Sequence, residues 1–171
     1  MEPVIVLVGV TGLLLALGRV GVRPLRTPAI ALRGGLAAMF LLTGGSHFIG
    51  MRPEMIAMVP DWVPAPELVV TLTGLAEIAG AIGLLWSRTV AAAATCLTLL
   101  LVVMFPANVH LALSGDPLPW WDELLPRTFL QLVFLAATAT VAVDAWRRLR
   151  RGPGRRDEDV RESDAARSGA R

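Results

Sequence analysis

The sequence predicts an all-α protein, a polytopic bundle of transmembrane helices, and three observations carry that prediction. The first is composition: of 171 residues, 54% are hydrophobic and 18% charged, and mean hydropathy is +0.61, well above that of a soluble domain. The second is the length of the uncharged runs, such as residues 34 to 51 and 89 to 115, which a soluble core of this size does not need. The third is the placement of charge. All 16 basic residues are arginine; seven of them against nine acids up to Trp146 leave −2, and nine against five in the last 25 residues leave +4, giving the net +2.

A span needs ~20 apolar residues at 1.5 Å each. The first candidate is 3–22, the weakest, since Arg19 must snorkel for it to reach that length. Its acidic start, Met1-Glu2-Pro3, is unlike a signal-peptide n-region, so this helix is expected to stay in the mature protein. The second span is 33–50. Residues 51–66 follow, with four prolines among Met55, Ile56, Met58, Val59, Trp62 and Val63; such a segment is predicted to be a surface loop that caps the bundle. The remaining spans are 67–87, 89–113 and 124–146. Residues 1–146 thus form the bundle, and 147–171, nearly free of apolar side chains, form a disordered tail.

Arginine placement then sets orientation. Arg19, Arg23, Arg26, Arg33, Arg88 and the nine tail arginines fall on one side, while Arg52 and Arg127 fall on the other. By the positive-inside bias the N-terminus is outside and the tail cytoplasmic. The five tryptophans all fall at predicted interfaces: Trp62, Trp120 and Trp121 outside, Trp86 and Trp146 inside.

Several function classes drop out. Cys96 stands alone, which removes a CxxC redox pair and any cysteine-rich zinc or iron–sulfur site. Phosphate loops, nucleophile elbows and haem-attachment sequences are missing, and no metal or bound cofactor is predicted. The cluster Arg147-Arg148-Leu149-Arg150-Arg151 is explained by anionic headgroups, so the bilayer and not nucleic acid is the expected partner.

Polar groups within spans remain to be explained, because a charge in hydrocarbon costs at least about 2.5 kcal/mol. Glu77 lies near mid-span, about ten residues into its helix, with small residues Thr73, Gly74, Gly80 and Ala81 at helical spacing and a bulky stripe of Leu75, Ile78, Ile82 and Leu85 on another face. It therefore points to a helix contact or a cavity. There it is either a neutral or paired acid that carries a proton or meets a ligand, or a clamp between helices. His47, Asn108, His110, Arg127 and Gln131 all fall in the outer half, after Pro106 in the case of Asn108 and His110. His110 and Arg127 taken singly fit plain interfacial residues. Jointly, His47, Glu77, Asn108 and Gln131 favour one shared polar pocket, with Arg127 beside it.

Gly45-Ser46-His47-Phe48, Met58-Val59-Pro60-Asp61-Trp62-Val63-Pro64, Thr73-Gly74-Leu75-Ala76-Glu77, Phe105-Pro106-Ala107-Asn108 and Pro126-Arg127 with Gln131 resemble the DoxX-like family of small bacterial integral membrane proteins. The resemblance runs from about Arg33 to Trp146. It implies a four-helix bundle, here preceded by one extra N-terminal helix, in the inner membrane of a bacterial cell. It also implies a role for His47, Glu77, Asn108, Arg127 and Gln131. Members of that family look like partners of membrane redox complexes, and distant relatives resemble assembly factors.

Three functions fit these readings. One is the membrane component of a redox or detoxification assembly, whose outer pocket holds a quinone or small hydrophobic ligand while Glu77 handles a proton. Another is a non-enzymatic scaffold that holds protein partners in a membrane complex. The third is a small transporter, resting on Glu77 and Pro106. No motif assigns catalysis.

Overall fold

The computed structural model describes residues 2–25, 27–115, 119–120 and 123–151. Among the described residues the chain is all-helical: α1 (Glu2–Val20), α2 (Pro28–Ser46), α3 (Arg52–Ala57), α4 (Pro66–Leu85), α5 (Val90–Leu113) and α6 (Leu124–Arg151), with a one-turn 3₁₀ helix at Arg23–Leu25. All but α3 are long and apolar enough to cross a membrane, as a multi-pass membrane protein requires.

The helix boundaries follow local chemistry. α1 has Glu2 in its first turn, where a carboxylate meets the positive end of the helix dipole. It stops at Gly21, whose φ of 127° few other residues adopt, so it does not reach residue 22 as predicted. α2 starts earlier than the expected residue 33, because Pro28 in the first turn lacks only an N–H that no helix start can use. It ends at Ser46 instead of residue 50: Phe48 and Ile49 both donate to the Gly45 carbonyl, at 3.0 and 3.2 Å, and close the turn. The predicted cap over 51–66 contains α3, which opens at the Arg52-Pro53 pair and is short. Ala65, caught between two prolines at φ 54°, turns the chain sharply into α4.

α5 continues through Pro106 as one helix. α6 overruns its predicted end by five residues. The change in composition at Arg147 marks the end of the apolar stretch and not of the helix, since arginine is a good helix former and cations suit a helix C-terminus. Arg148 Nε also donates to Asp144 Oδ2 at 2.8 Å, an i,i+4 pair. The predicted disordered stretch beyond Arg151 lies outside the described residues.

Consecutive long helices pack antiparallel: α1 on α2, α2 on α4, α4 on α5 and α5 on α6, and a smaller α2–α6 contact closes α2, α4, α5 and α6 into a ring. Leu36, Met39 and Phe40 of α2, Leu84 of α4, Leu97 of α5 and Thr138 of α6 are fully buried inside it. α1 lies outside the ring against α2, with Leu7 reaching the core. The remaining apolar side chains, such as Leu72, Leu99, Val103 and Phe129, face outward as a lipid-facing surface would.

This arrangement gives the bundle two unlike ends. Arg19, Arg23, Arg33, Arg88, Arg147, Arg148, Arg150 and Arg151 gather where α1, α4 and α6 finish. Arg52 and Arg127 lie at the other end, with α3 and His47. Trp62, Trp86, Trp120 and Trp146 are exposed near helix ends, and Trp146 Nε1 donates to Thr95 Oγ1 at 3.1 Å.

Candidate functional site

The α2–α4 junction holds the only two side chains of the predicted set that meet as a titratable pair. Close approach there depends on Gly44 and Gly74. A Cβ on Gly44 would stand 3.1 Å from the Glu77 Cβ and 3.1 Å from the Gly74 carbonyl oxygen, so the backbones pass with no room for a side chain. That approach buries His47 and Glu77, which keep 3% and 4% of their surface.

The hydrogen bonds fix the local chemistry. Thr43 Oγ1 donates to Glu77 Oε2 at 2.6 Å. His47 Nδ1 lies 2.8 Å from the Val70 carbonyl oxygen, which only accepts, so Nδ1 carries a hydrogen. Thr73 Oγ1, whose own hydrogen has the Val69 carbonyl 2.9 Å away, stands 3.3 Å from the same nitrogen. With Nδ1 so fixed, the other ring nitrogen faces the carboxyl: His47 Nε2 is 4.0 Å from Glu77 Oε1, beyond hydrogen-bond range. Nε2 and Oε1 thus face one another across the junction without a hydrogen bond between them.

Arg52 ties this junction to the end of the bundle. Its Nη1 donates to the His47 carbonyl at 3.2 Å, and its Nη2 donates to Thr71 Oγ1 at 3.0 Å and the Glu67 carbonyl at 3.2 Å. The start of α3 is thereby fastened to the first turns of α4.

The other predicted residues gather at the α5–α6 junction. Arg127 Nη1 donates to Asn108 Oδ1 at 2.9 Å, and Gln131 Nε2 to the Leu101 carbonyl at 2.6 Å. That carbonyl is one residue before Val102, whose oxygen Pro106 leaves without its usual intrahelical donor. His110 Nδ1 meets the Met58 carbonyl at 3.3 Å, which draws the segment after α3 over α5. Gln131 is 7% exposed, so replacing it leaves a buried mismatch. Gln131→Leu is expected to cost about 1 kcal/mol, the scale of an interhelical hydrogen bond in a membrane bundle, read as a small drop in melting midpoint in detergent.

The five predicted residues are thus divided between two junctions: His47 with Glu77, and Asn108, Arg127 and Gln131 across α5 and α6. Thr43 and Thr73 complete the first; by sequence Thr43 is not singled out, and Thr73 counts only as a small residue beside Glu77. Each lies four residues before one member of the pair, Thr43 before His47 and Thr73 before Glu77, and reaches the other member across the junction, Thr43 to Glu77 and Thr73 to His47, so helical spacing was the available signal. Among the described residues no group of three His, Cys, Asp or Glu side chains could hold a metal ion.

A family model described as Domain of unknown function (DUF8561) matches residues 36–142, from the middle of α2 into α6, and so takes in both junctions while leaving α1 out. No curated protein and no solved structure matches the chain. The family match does not tie the chain to the DoxX-like proteins.

Proposed function

The chain belongs to the DUF8561 family, for which no activity is described, and from the geometry we propose that it is a multi-pass membrane scaffold that holds protein partners in a complex without catalysis of its own. One observation carries this reading. The Glu77 carboxyl is sealed inside the α2–α4 contact, one oxygen held by Thr43 and the other turned to His47, as a helix clamp would be. Asn108, Arg127 and Gln131 likewise bind other helix groups. The arginine-rich end fits a cytoplasmic side, with the N-terminus outside, and the DoxX-like resemblance fits a bacterial inner membrane.

A second reading has its own support. The facing Nε2 and Oε1 at 4.0 Å are two sites for a proton within the helix region, which a subunit of a redox or detoxification assembly would use beside a quinone or other small hydrophobic ligand.

Two substitutions at one position separate the readings. Glu77→Gln keeps an acceptor for Thr43 and offers His47 Nε2 a donor, but holds no exchangeable proton. Glu77→Leu removes the Thr43 bond and leaves nothing polar facing His47 Nε2, and is expected to cost about 1 to 2 kcal/mol. For a scaffold, melting midpoint and partner co-purification stay at wild-type level in Glu77→Gln and fall together in Glu77→Leu. Quinone affinity or turnover lost in Glu77→Gln at unchanged stability would overturn the scaffold reading in favour of the redox one.

A further inference from the structure

Where α2 begins and α6 ends, a cavity of about 350 Å³ opens between these helices and the α4–α5 turn. Arg33, Arg148, Asp144 and Ser87 supply its polar lining, and Ile30 and Val141 belong to its apolar wall. A second cavity, of about 690 Å³, shares Val141 and Asp144 with it, adds Arg147, and runs along the α2–α6 seam to Ala136 and Ala139. The two meet at the contact that closes the ring, which is the thinnest seam of the bundle.

The donors there are arranged for an anion. Arg33 gives Nε and Nη2 to the Leu84 carbonyl at 3.0 and 2.7 Å, which fixes the guanidinium and leaves its Nη1 edge to the cavity. Arg148 gives Nε to Asp144, which leaves its two Nη groups. Three arginines against one carboxylate leave the site at +2, and that carboxylate already has a partner. A phosphate diester therefore finds fork-shaped donors, whereas a choline or ethanolamine cation finds no free acid. From Asp144 back to Ala136 the seam runs eight residues, roughly 12 Å of helix, walled by small and aliphatic side chains, which suits the first part of an acyl chain.

We infer that this seam binds an anionic phospholipid, its phosphate held by Arg33, Arg147 and Arg148 and one chain lying between α2 and α6. The site requires that the helices cross a membrane; it depends neither on which side this end faces nor on the scaffold reading. Such a lipid closes the ring where protein contact is least, and basic clefts between transmembrane helices are a recurrent form of headgroup site.

The test uses the full chain in neutral detergent, titrated separately with phosphatidylglycerol, phosphatidylcholine and inorganic phosphate while the melting midpoint is followed. Phosphatidylglycerol is expected to raise the midpoint saturably and phosphatidylcholine to leave it unchanged. The double variant Arg147→Gln, Arg148→Gln is expected to bind phosphatidylglycerol at least about tenfold more weakly, through loss of two charge-assisted contacts. Arg88→Gln, which removes one positive charge at the same end but outside the cavity, should change affinity less than about twofold. Equal protection by phosphatidylcholine, or wild-type affinity in the double variant, would overturn the inference. Protection by inorganic phosphate at matching concentrations would overturn the lipid source in favour of a soluble phosphate. These variants spare Arg33, whose bond to α4 supports the fold itself.

Discussion

Gly74→Leu is expected to break the α2–α4 junction. The first added carbon alone would sit 2.5 Å from the His47 Cβ, 2.9 Å from its Cγ and 3.0 Å from the Phe48 ring, and the other three leucine carbons must go further into the same space. The obstacle is the root of the His47 side chain, which moves only if the helix moves. Overpacking of this kind costs about 3 kcal/mol or more, a large share of the ~5 to 15 kcal/mol that holds a typical domain together. Loss of the monodisperse species on size exclusion, or a melting midpoint lowered by many degrees, is the expected readout. Gly45→Leu is the matched control: a Cβ at Gly45 meets nothing within 4 Å, so it should leave the fold intact. Gly74→Leu melting like wild type would show that α2 and α4 do not approach this closely.

Arg33→Leu carries the second large effect. Its guanidinium is a fork on the Leu84 carbonyl, in the last turn of α4, where the chain leaves the helix and no backbone donor follows. Removing it strands that carbonyl and uncouples the start of α2 from the end of α4, at about 2 kcal/mol for a charged hydrogen bond. Arg33→Lys should recover only part of this, because a single ammonium cannot reproduce two parallel N–H donors. Melting midpoints in the order wild type, Lys, Leu are expected. A Leu variant equal to wild type would mean the fork contributes no net stability.

The same arginine shows where the sequence was legible and where it was not. Uncharged runs disclosed α4, α5 and the start of α6 to within two residues, because a long apolar helix leaves an unbroken trace in composition. By sequence Arg33 marks the edge of its span, as a charge normally does. Its true place inside α2 depends on an acceptor 51 residues away, which no local pattern contains. The end of α6 hid for the opposite reason: Arg147 to Arg151 look like a tail by composition and are helical by propensity and pairing. At the candidate site, position along each helix gave depth. His47 and Glu77 were brought together by depth plus small neighbours such as Gly74. Which helix stands beside which is a matter of rotation about the axes, and that information is spread over many weak preferences. Asn108, Arg127 and Gln131 share the right depth and belong to a different seam.

The ring of α2, α4, α5 and α6 bears on how the protein comes to exist. Every extensive packing pair joins long helices that are neighbours in order of synthesis, and α1 attaches to α2 before either has any other partner. Each pair can therefore form as its second helix leaves the ribosome, across a short turn or, for α2 and α4, across the α3 segment, with little waiting for distant partners. Among the described residues the α2–α6 seam is the main contact that joins the early part of the chain to the late. Maturation then reduces to one final closure, and damage confined to α6 should yield a chain whose first helices are already correctly paired.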